Sequence, residues 1–158
     1  MQINLTQKER TLLEDQKSHE QLCVDKYSSY ASQAQDQQLK QLFTNHASIE
    51  QQHLNTINQL LSGQVPQMNS QQSGNQNQQQ SMSSGNTGAV GMKGVSDAEL
   101  CQDMLMTEKY VSGAYNTAIF EFKDTEVRDV LNHLQKEEQK HGEAIFKYME
   151  SKGMYKVQ

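Results

Sequence analysis

The 158-residue chain has only two cysteines, one proline and no tryptophan, and 34% of its residues are hydrophobic. Two cysteines are too few for a disulfide scaffold or a cysteine-rich zinc site. No apolar run approaches the ~18 residues that a membrane span needs, and the first residues lack the basic and apolar regions of a signal peptide. We therefore expect no membrane partner, no Sec secretion and a narrow core.

Positive charge is also scarce. Nineteen acidic residues face 14 lysines and arginines, the formal net charge is −5, and no basic run occurs. A surface that follows a phosphate backbone needs clustered lysine and arginine. Nucleic acid is therefore not an expected partner.

Serine, glutamine, asparagine and glycine dominate residues 62–95. Such a segment buries too little apolar surface to order itself, which predicts a flexible linker. The sequence on either side is helical, and Thr6 and Ser96 each begin a capping-box motif. Gly153 is a suitable C-terminal stop. We predict a single domain over residues 1–158, with helices at about 7–34, 37–61, 97–122 and 125–151.

Apolar residues recur on each predicted helix at alternating spacings of four and three, which is typical of helices packed in a bundle. The fourth helix shows the stripe most clearly: Val127, Leu131, Leu134, Glu138, His141, Ile145 and Tyr148. The fold class is therefore predicted to be all-α, a four-helix bundle, a group to which the ferritin-like bundles belong. The linker is long enough for the crossover that such bundles make between helices 2 and 3, since each helix is only about 37 Å long.

Four glutamates fall on the predicted stripes, one on each helix. Burying an unpaired carboxylate is costly, so a counter-charge is required. Two of these glutamates begin Glu-x-x-His motifs, whose spacing places both side chains on one helix face. Two single glutamates and two Glu-x-x-His motifs form the ligand set of ferritin-like di-iron and di-manganese bundles. The predicted metal ligands are Glu20, Glu50, His53, Glu108, Glu138 and His141.

The expected cofactor is a pair of divalent cations, because two such ions balance four carboxylates while the histidines bind as neutral ligands. Carboxylate and imidazole suit iron or manganese, although zinc could occupy the same ligands. No other cofactor is predicted, and the catalytic residues are not identified.

The two helical arms also form a weak internal repeat. A shift of 88 residues without gaps aligns about eight identical pairs, where chance would supply roughly three. The pairs include every predicted ligand: Glu20 with Glu108, Glu50 with Glu138, His53 with His141, and also Tyr27 with Tyr115.

Other interpretations of these residues stay open. The bundle could descend from a metal protein and hold no metal. Tyr27 and Tyr115 could hydrogen-bond a ligand or carry an electron, although an aromatic residue on a stripe is usually core. Cys23 is either an inert buried thiol or a redox thiol. His46 is either a partner of a metal ligand or a partly exposed polar gap.

Several segments resemble the Coat F family of bacterial spore coat proteins. The likeness is close over approximately residues 96–157 and looser over the first arm. The segments that carry it are residues 101–110, 115–121, 137–142 and 149–155.

This resemblance implies a ferritin-like bundle in the coat of a bacterial endospore, made in the mother-cell cytoplasm. The implied partners are other spore coat proteins or further copies of the chain. The six predicted ligands also match the pattern of ferritin-like proteins that include the rubrerythrin-like ones. The rubredoxin part has no counterpart, because no Cys-x-x-Cys occurs. An electron donor would have to be external.

Three functions can be weighed from these expectations. The chain could be a structural coat protein, whose glutamine-rich linker supplies contacts or crosslinking sites. It could be a di-metal oxidoreductase that reacts with peroxide or oxygen or oxidises ferrous iron, so enzymatic activity is left open. Storage of metal in a cage is disfavoured, because nothing in the sequence indicates the extra helix or pore of a closed shell.

Overall fold

The computed structural model describes residues 1–68 and 94–156. Within them the chain forms four α-helices: α1 (Gln7–Gln33), α2 (Gln37–Leu61), α3 (Asp97–Ile119) and α4 (Thr125–Ser151). None of these four helices combines the length and the apolar character that a membrane span requires. The all-α prediction is confirmed. Residues 69–93 of the predicted linker lie outside the described residues.

The predicted helix starts are correct, and two of them have complete capping boxes. The side chains of Thr6 and Ser96 each accept a hydrogen bond from the backbone N–H of the glutamate three residues later. The side chain of that glutamate accepts a hydrogen bond from the backbone N–H of Thr6 or Ser96 in return. Asp36 caps α2 through the N–H of Gln38. Gly153, which follows the last residues of α4, has a φ of 69° and ends that helix, as predicted.

The third helix is shorter than predicted and ends at Ile119 instead of residue 122. Its last residues tighten into a turn, in which the N–H of Glu121 bonds the carbonyl of Ala118 at 2.9 Å. The guanidinium of Arg128 then donates to the carbonyl oxygens of Phe122 and Lys123. These bonds satisfy two carbonyl groups just beyond the end of α3, in a segment that contains no Pro or Gly.

Consecutive helices form two hairpins: the first hairpin consists of α1 and α2, and the second of α3 and α4. Tyr27 of α1 contacts Glu108, while the earlier Glu20 contacts the later Tyr115, so α1 and α3 run antiparallel. Cross-contacts between α2 and α4 show the same antiparallel order. Consequently α2 and α3 run in the same direction, and the end of α2 and the start of α3 lie at opposite ends of the bundle.

Each hairpin also holds the turn of the other. Asp97, at the start of α3, accepts hydrogen bonds from the backbone N–H groups of Gln35 at 2.8 Å and Asp36 at 2.9 Å. Glu9, near the start of α1, accepts one from the N–H of Lys123 at 3.0 Å. Gln35 and Lys123 are related by the 88-residue shift, so these reciprocal turn contacts follow the internal repeat.

The predicted stripe of α4 is buried at every position, including its glutamate and histidine. Two apolar clusters form the core. One packs around Leu13, Ile57 and Leu131, and the other around Phe43 and Met104. The polar residues of the four stripes lie along the same helices between these clusters, so the helix packing brings them together in the interior.

Candidate metal centre

All six predicted metal ligands are buried in the centre of the bundle, where the most accessible of them is 4% exposed. We refer to them as the carboxylate–histidine cluster. α1 and α3 supply one glutamate each, and α2 and α4 supply one Glu-x-x-His each. The cluster consists of Glu20, Glu50, His53, Glu108, Glu138 and His141.

The cluster divides into two overlapping groups of four. In each group, one ligand atom per residue lies within 4.8 Å of the others. The first group adds Glu20 and His53 to the shared pair Glu50 and Glu138, and the second adds Glu108 and His141. The two groups together use every predicted ligand, and each glutamate of the Glu-x-x-His motifs belongs to both.

The histidine rings lie among carboxylates from more than one helix. Nδ1 of His53 lies 3.1 Å from Oε2 of Glu50 and 3.2 Å from Oε1 of Glu138. Nδ1 of His141 lies 2.9 Å from Oε1 of Glu50 and 3.5 Å from Oε1 of Glu108. The donor atoms of three helices therefore converge on the same small volume.

Two tyrosines orient the remaining glutamates. The Tyr115 hydroxyl donates to Oε1 of Glu20, and the Tyr27 hydroxyl donates to Oε1 of Glu108. Burial raises the pKa of both phenols well above the usual value, and the negative charge of the nearby glutamates raises it further. Both hydroxyls therefore stay protonated and can donate. The prediction that these tyrosines could hydrogen-bond a ligand residue agrees with this geometry.

Without bound cations, the four carboxylates differ in protonation. Burial, together with the neighbouring charges of Glu138 and Glu50, raises the pKa of Glu20 and of Glu108 well above the usual value. Burial would also raise the pKa of Glu50 and Glu138, but hydrogen bonds from the two histidines outweigh it and lower both values. Glu20 and Glu108 therefore keep their protons to a higher pH than Glu50 and Glu138 do.

The histidines carry the matching positive charge. Burial alone would lower the pKa of each ring, but hydrogen bonds to the glutamates raise the pKa of His53 to about 9 and that of His141 to about 12. Two imidazolium ions would balance two ionised carboxylates, and the cluster would then be neutral. Two divalent cations with four carboxylates and two neutral imidazoles would be neutral as well.

Several cluster atoms have no hydrogen-bond partner among the described residues. These are Oε2 of Glu20, Glu108 and Glu138, and Nε2 of His141. Buried polar atoms of this kind are costly unless they are paired or bind a ligand. Oxygen and imidazole donors without a thiolate suit a hard or borderline cation. The residues therefore fit the predicted pair of metal ions.

His46 and Cys23 lie beside the cluster and belong to neither group of four. The ring of His46 is 5% exposed and stacks on that of His141, with 4.1 Å between centroids. Burial, and then the neighbouring His141, lowers the pKa of His46 to about 3, so the ring is neutral. Burial raises the pKa of Cys23 well above the usual value, which agrees with the inert-thiol interpretation.

One feature of the site was missed by sequence reasoning. A cavity of about 330 Å³ lies between α3 and α4, and its lining includes Glu108 and Glu138 of the cluster. Gly142 also lines it. The internal repeat held a signal of this feature, because the 88-residue shift pairs Gly142 with the large residue Leu54.

Comparison with known proteins gives one match. Residues 96–158 match the model of the Coat F domain. The Coat F match covers α3 and α4, and therefore the second hairpin with Glu108, Glu138 and His141. It supports the resemblance that the sequence motifs indicated over this part of the chain. No curated protein and no solved structure matches the chain significantly.

Proposed function

We propose that the chain is a spore coat protein of the Coat F type, whose helical bundle holds a dinuclear metal centre. The coat assignment is supported by the Coat F match over the second hairpin. The metal assignment is supported independently by the carboxylate–histidine cluster.

The single observation that carries the metal proposal is that Glu50 and Glu138 belong to both groups of potential ligands. Each has two oxygens, so each could bind one ion through each oxygen and bridge the pair. Glu20 with His53 would complete the site of one ion, and Glu108 with His141 that of the other. This is the ligand arrangement of ferritin-like di-metal bundles.

Iron or manganese is the proposed metal. Four carboxylates and two imidazoles form a donor set that suits these ions, and the buried thiol of Cys23 belongs to neither group. Tyr115 and Tyr27 would hold the two outer carboxylates, Glu20 and Glu108, in the orientation that binding needs.

A second candidate function is a di-metal oxidoreductase, as in rubrerythrin-like proteins without the rubredoxin part. The cavity that reaches Glu108 and Glu138 favours this candidate, because a purely structural site needs no such opening. Bound iron or manganese would supply the redox chemistry with peroxide or oxygen. The protein's own contribution would be to orient the carboxylates through its tyrosines and to exclude bulk water. The two functions are compatible.

The proposed location is the coat of a bacterial endospore, with other coat proteins or further copies of the chain as partners. Fractionation of spores tests this location. Recovery of the protein in coat extracts supports it, whereas recovery only from the spore core contradicts it.

Elemental analysis tests the metal centre. Protein purified without a chelator should contain about two iron or manganese ions per chain, as a dinuclear carboxylate site requires. A protein that stays metal-free after exposure to ferrous and manganous ions would contradict the proposal. The coat assignment would survive that result.

A further inference from the structure

The cavity between α3 and α4 is an opening next to the carboxylate–histidine cluster. Its lining combines two buried glutamates of the cluster with residues at the protein surface. Glu108 is 2% exposed and Glu138 is 1% exposed, so solvent barely reaches them. Lys109 and Glu143, which also line the cavity, are exposed. The cavity thus extends from the surface to the edge of the cluster.

Part of the cavity lining is apolar or aromatic. Leu105 and Phe146 line the cavity from α3 and α4, and Tyr155 lines it from beyond the end of α4. Apolar walls disfavour an ion that must shed its hydration shell, and they accept an uncharged molecule at little cost. A volume of about 330 Å³ is at the lower end of the range for small-molecule sites.

Gly142 lines the cavity without contributing a side chain. A methyl group added at Gly142 would contact only Leu105, at 3.8 Å from its Cδ1 atom. The repeat-related position on α2 carries Leu54, whose side chain is 6% exposed and packs into the protein. The two hairpins therefore differ at equivalent positions, with a buried leucine in one and a glycine in the other.

We propose that this cavity, which Gly142 lines, is the port through which a small uncharged molecule, of the size of hydrogen peroxide or dioxygen, reaches the cluster. The inference rests on the proposed metal centre, because the port needs a reactive site at its inner end. It adds an entry side: the molecule enters between α3 and α4, where Leu105 faces Gly142.

Nitric oxide is a suitable probe, since it is small and uncharged and its binding to ferrous iron changes the absorption spectrum. Protein loaded anaerobically with ferrous iron is mixed with nitric oxide in a stopped-flow spectrometer. Gly142→Leu should slow the association by about tenfold or more, because it places a leucine side chain in the port. Leucine is also the residue at the equivalent position, Leu54, of the other hairpin. Leu105→Ala should speed association by roughly threefold, because it widens the port.

Gly113→Leu is the matched control. Gly113 is also a glycine within a helix, nothing lies within 4 Å of an added methyl group, and it does not line the cavity. Its association rate should equal that of the wild type. If Gly142→Leu does not fold, Gly142→Ala replaces it, because its methyl group would make an ordinary contact; it should slow association by roughly twofold.

The possible outcomes separate the port from the metal centre. Two ions per chain with unchanged association rates in the Gly142 and Leu105 variants would overturn the port and leave the metal centre intact. Equal slowing in Gly142→Leu and Gly113→Leu would also overturn it. A wild-type protein that binds no metal would overturn the proposed centre and the port together.

Discussion

Tyr115 of α3 donates a hydrogen bond to Glu20 of α1 in the interior of the bundle. The 88-residue repeat places the same interaction, with the helices exchanged, between Tyr27 and Glu108. Each hairpin therefore positions one carboxylate of the other. We therefore expect equivalent substitutions in the two halves of the cluster to have similar effects.

Replacing a shared carboxylate should remove more metal than replacing an outer one. Glu50 belongs to both ligand groups, whereas Glu20 belongs to one. We expect Glu50→Gln to lose nearly all bound metal and Glu20→Gln to retain about one ion per chain, because the second group of ligands is then complete. Elemental analysis measures the difference, and the exposed Glu143→Gln variant is the control. Equal loss in both variants would exclude Glu50 as a bridging ligand.

Removing either tyrosine hydroxyl that bonds an outer carboxylate should weaken metal binding without abolishing it. Tyr115→Phe and Tyr27→Phe each release one outer carboxylate, and loss of such a partner lowers metal affinity by about 10- to 100-fold. Competition with a chromophoric chelator measures the affinity. Tyr30→Phe is the matched control, because Tyr30 is equally buried but its hydroxyl bonds Asp103, outside the cluster. A loss of affinity in this control would point to a general packing effect.

Metal affinity should rise with pH. In the metal-free cluster the pKa values of His53 and His141 are raised to about 9 and about 12, and those of Glu20 and Glu108 are also raised, so these four groups hold their protons more tightly than usual. Cations must displace these protons, so binding two ions should release up to about four protons and should weaken as the pH falls. Calorimetry in buffers of different ionisation enthalpy counts the released protons. Affinity independent of pH between 6 and 8 would contradict this protonation pattern.

The capping box of α1 should contribute measurably to stability. Thr6→Ala removes the side-chain acceptor for the N–H of Glu9, and loss of an N-cap typically costs about 1 kcal/mol of the free energy of unfolding. Urea denaturation of the metal-free protein measures it. Thr117→Ala, an exposed substitution within α3, should change stability little, because alanine is a good helix former. A similar loss in both variants would show that the capping bond itself is not responsible.

Much of this architecture follows from local sequence rules. Thr6 and Ser96 mark helix starts because a hydroxyl followed by glutamate three residues later satisfies free backbone N–H groups. The apolar stripe of α4 predicted its buried face, since the apolar side of an amphipathic helix packs against the core. The six cluster residues could be predicted because each buried stripe contains a glutamate. Buried carboxylates are costly unless a counter-charge compensates them.

Other features depended on tertiary contacts that the sequence does not display. Beyond the end of α3 at Ile119, the carbonyl groups of Phe122 and Lys123 are bonded by Arg128, a residue of the next helix. The stacking of His46 on His141 requires the rotation of α2 against α4, which spacing along one helix cannot specify. The cavity beside Gly142 likewise exists only once α3 and α4 are packed together.

The reciprocal turn contacts have a consequence for how the molecule can be assembled. Glu9 and Asp97 each accept a hydrogen bond from the turn of the opposite hairpin, at opposite ends of the bundle. Each hairpin also carries three of the six cluster residues. The two halves should therefore recognise each other even as separate polypeptides, so coexpressed fragments 1–68 and 94–158 should associate into a heterodimer. Metal uptake would then report reassembly, since neither fragment alone provides a complete set of ligands.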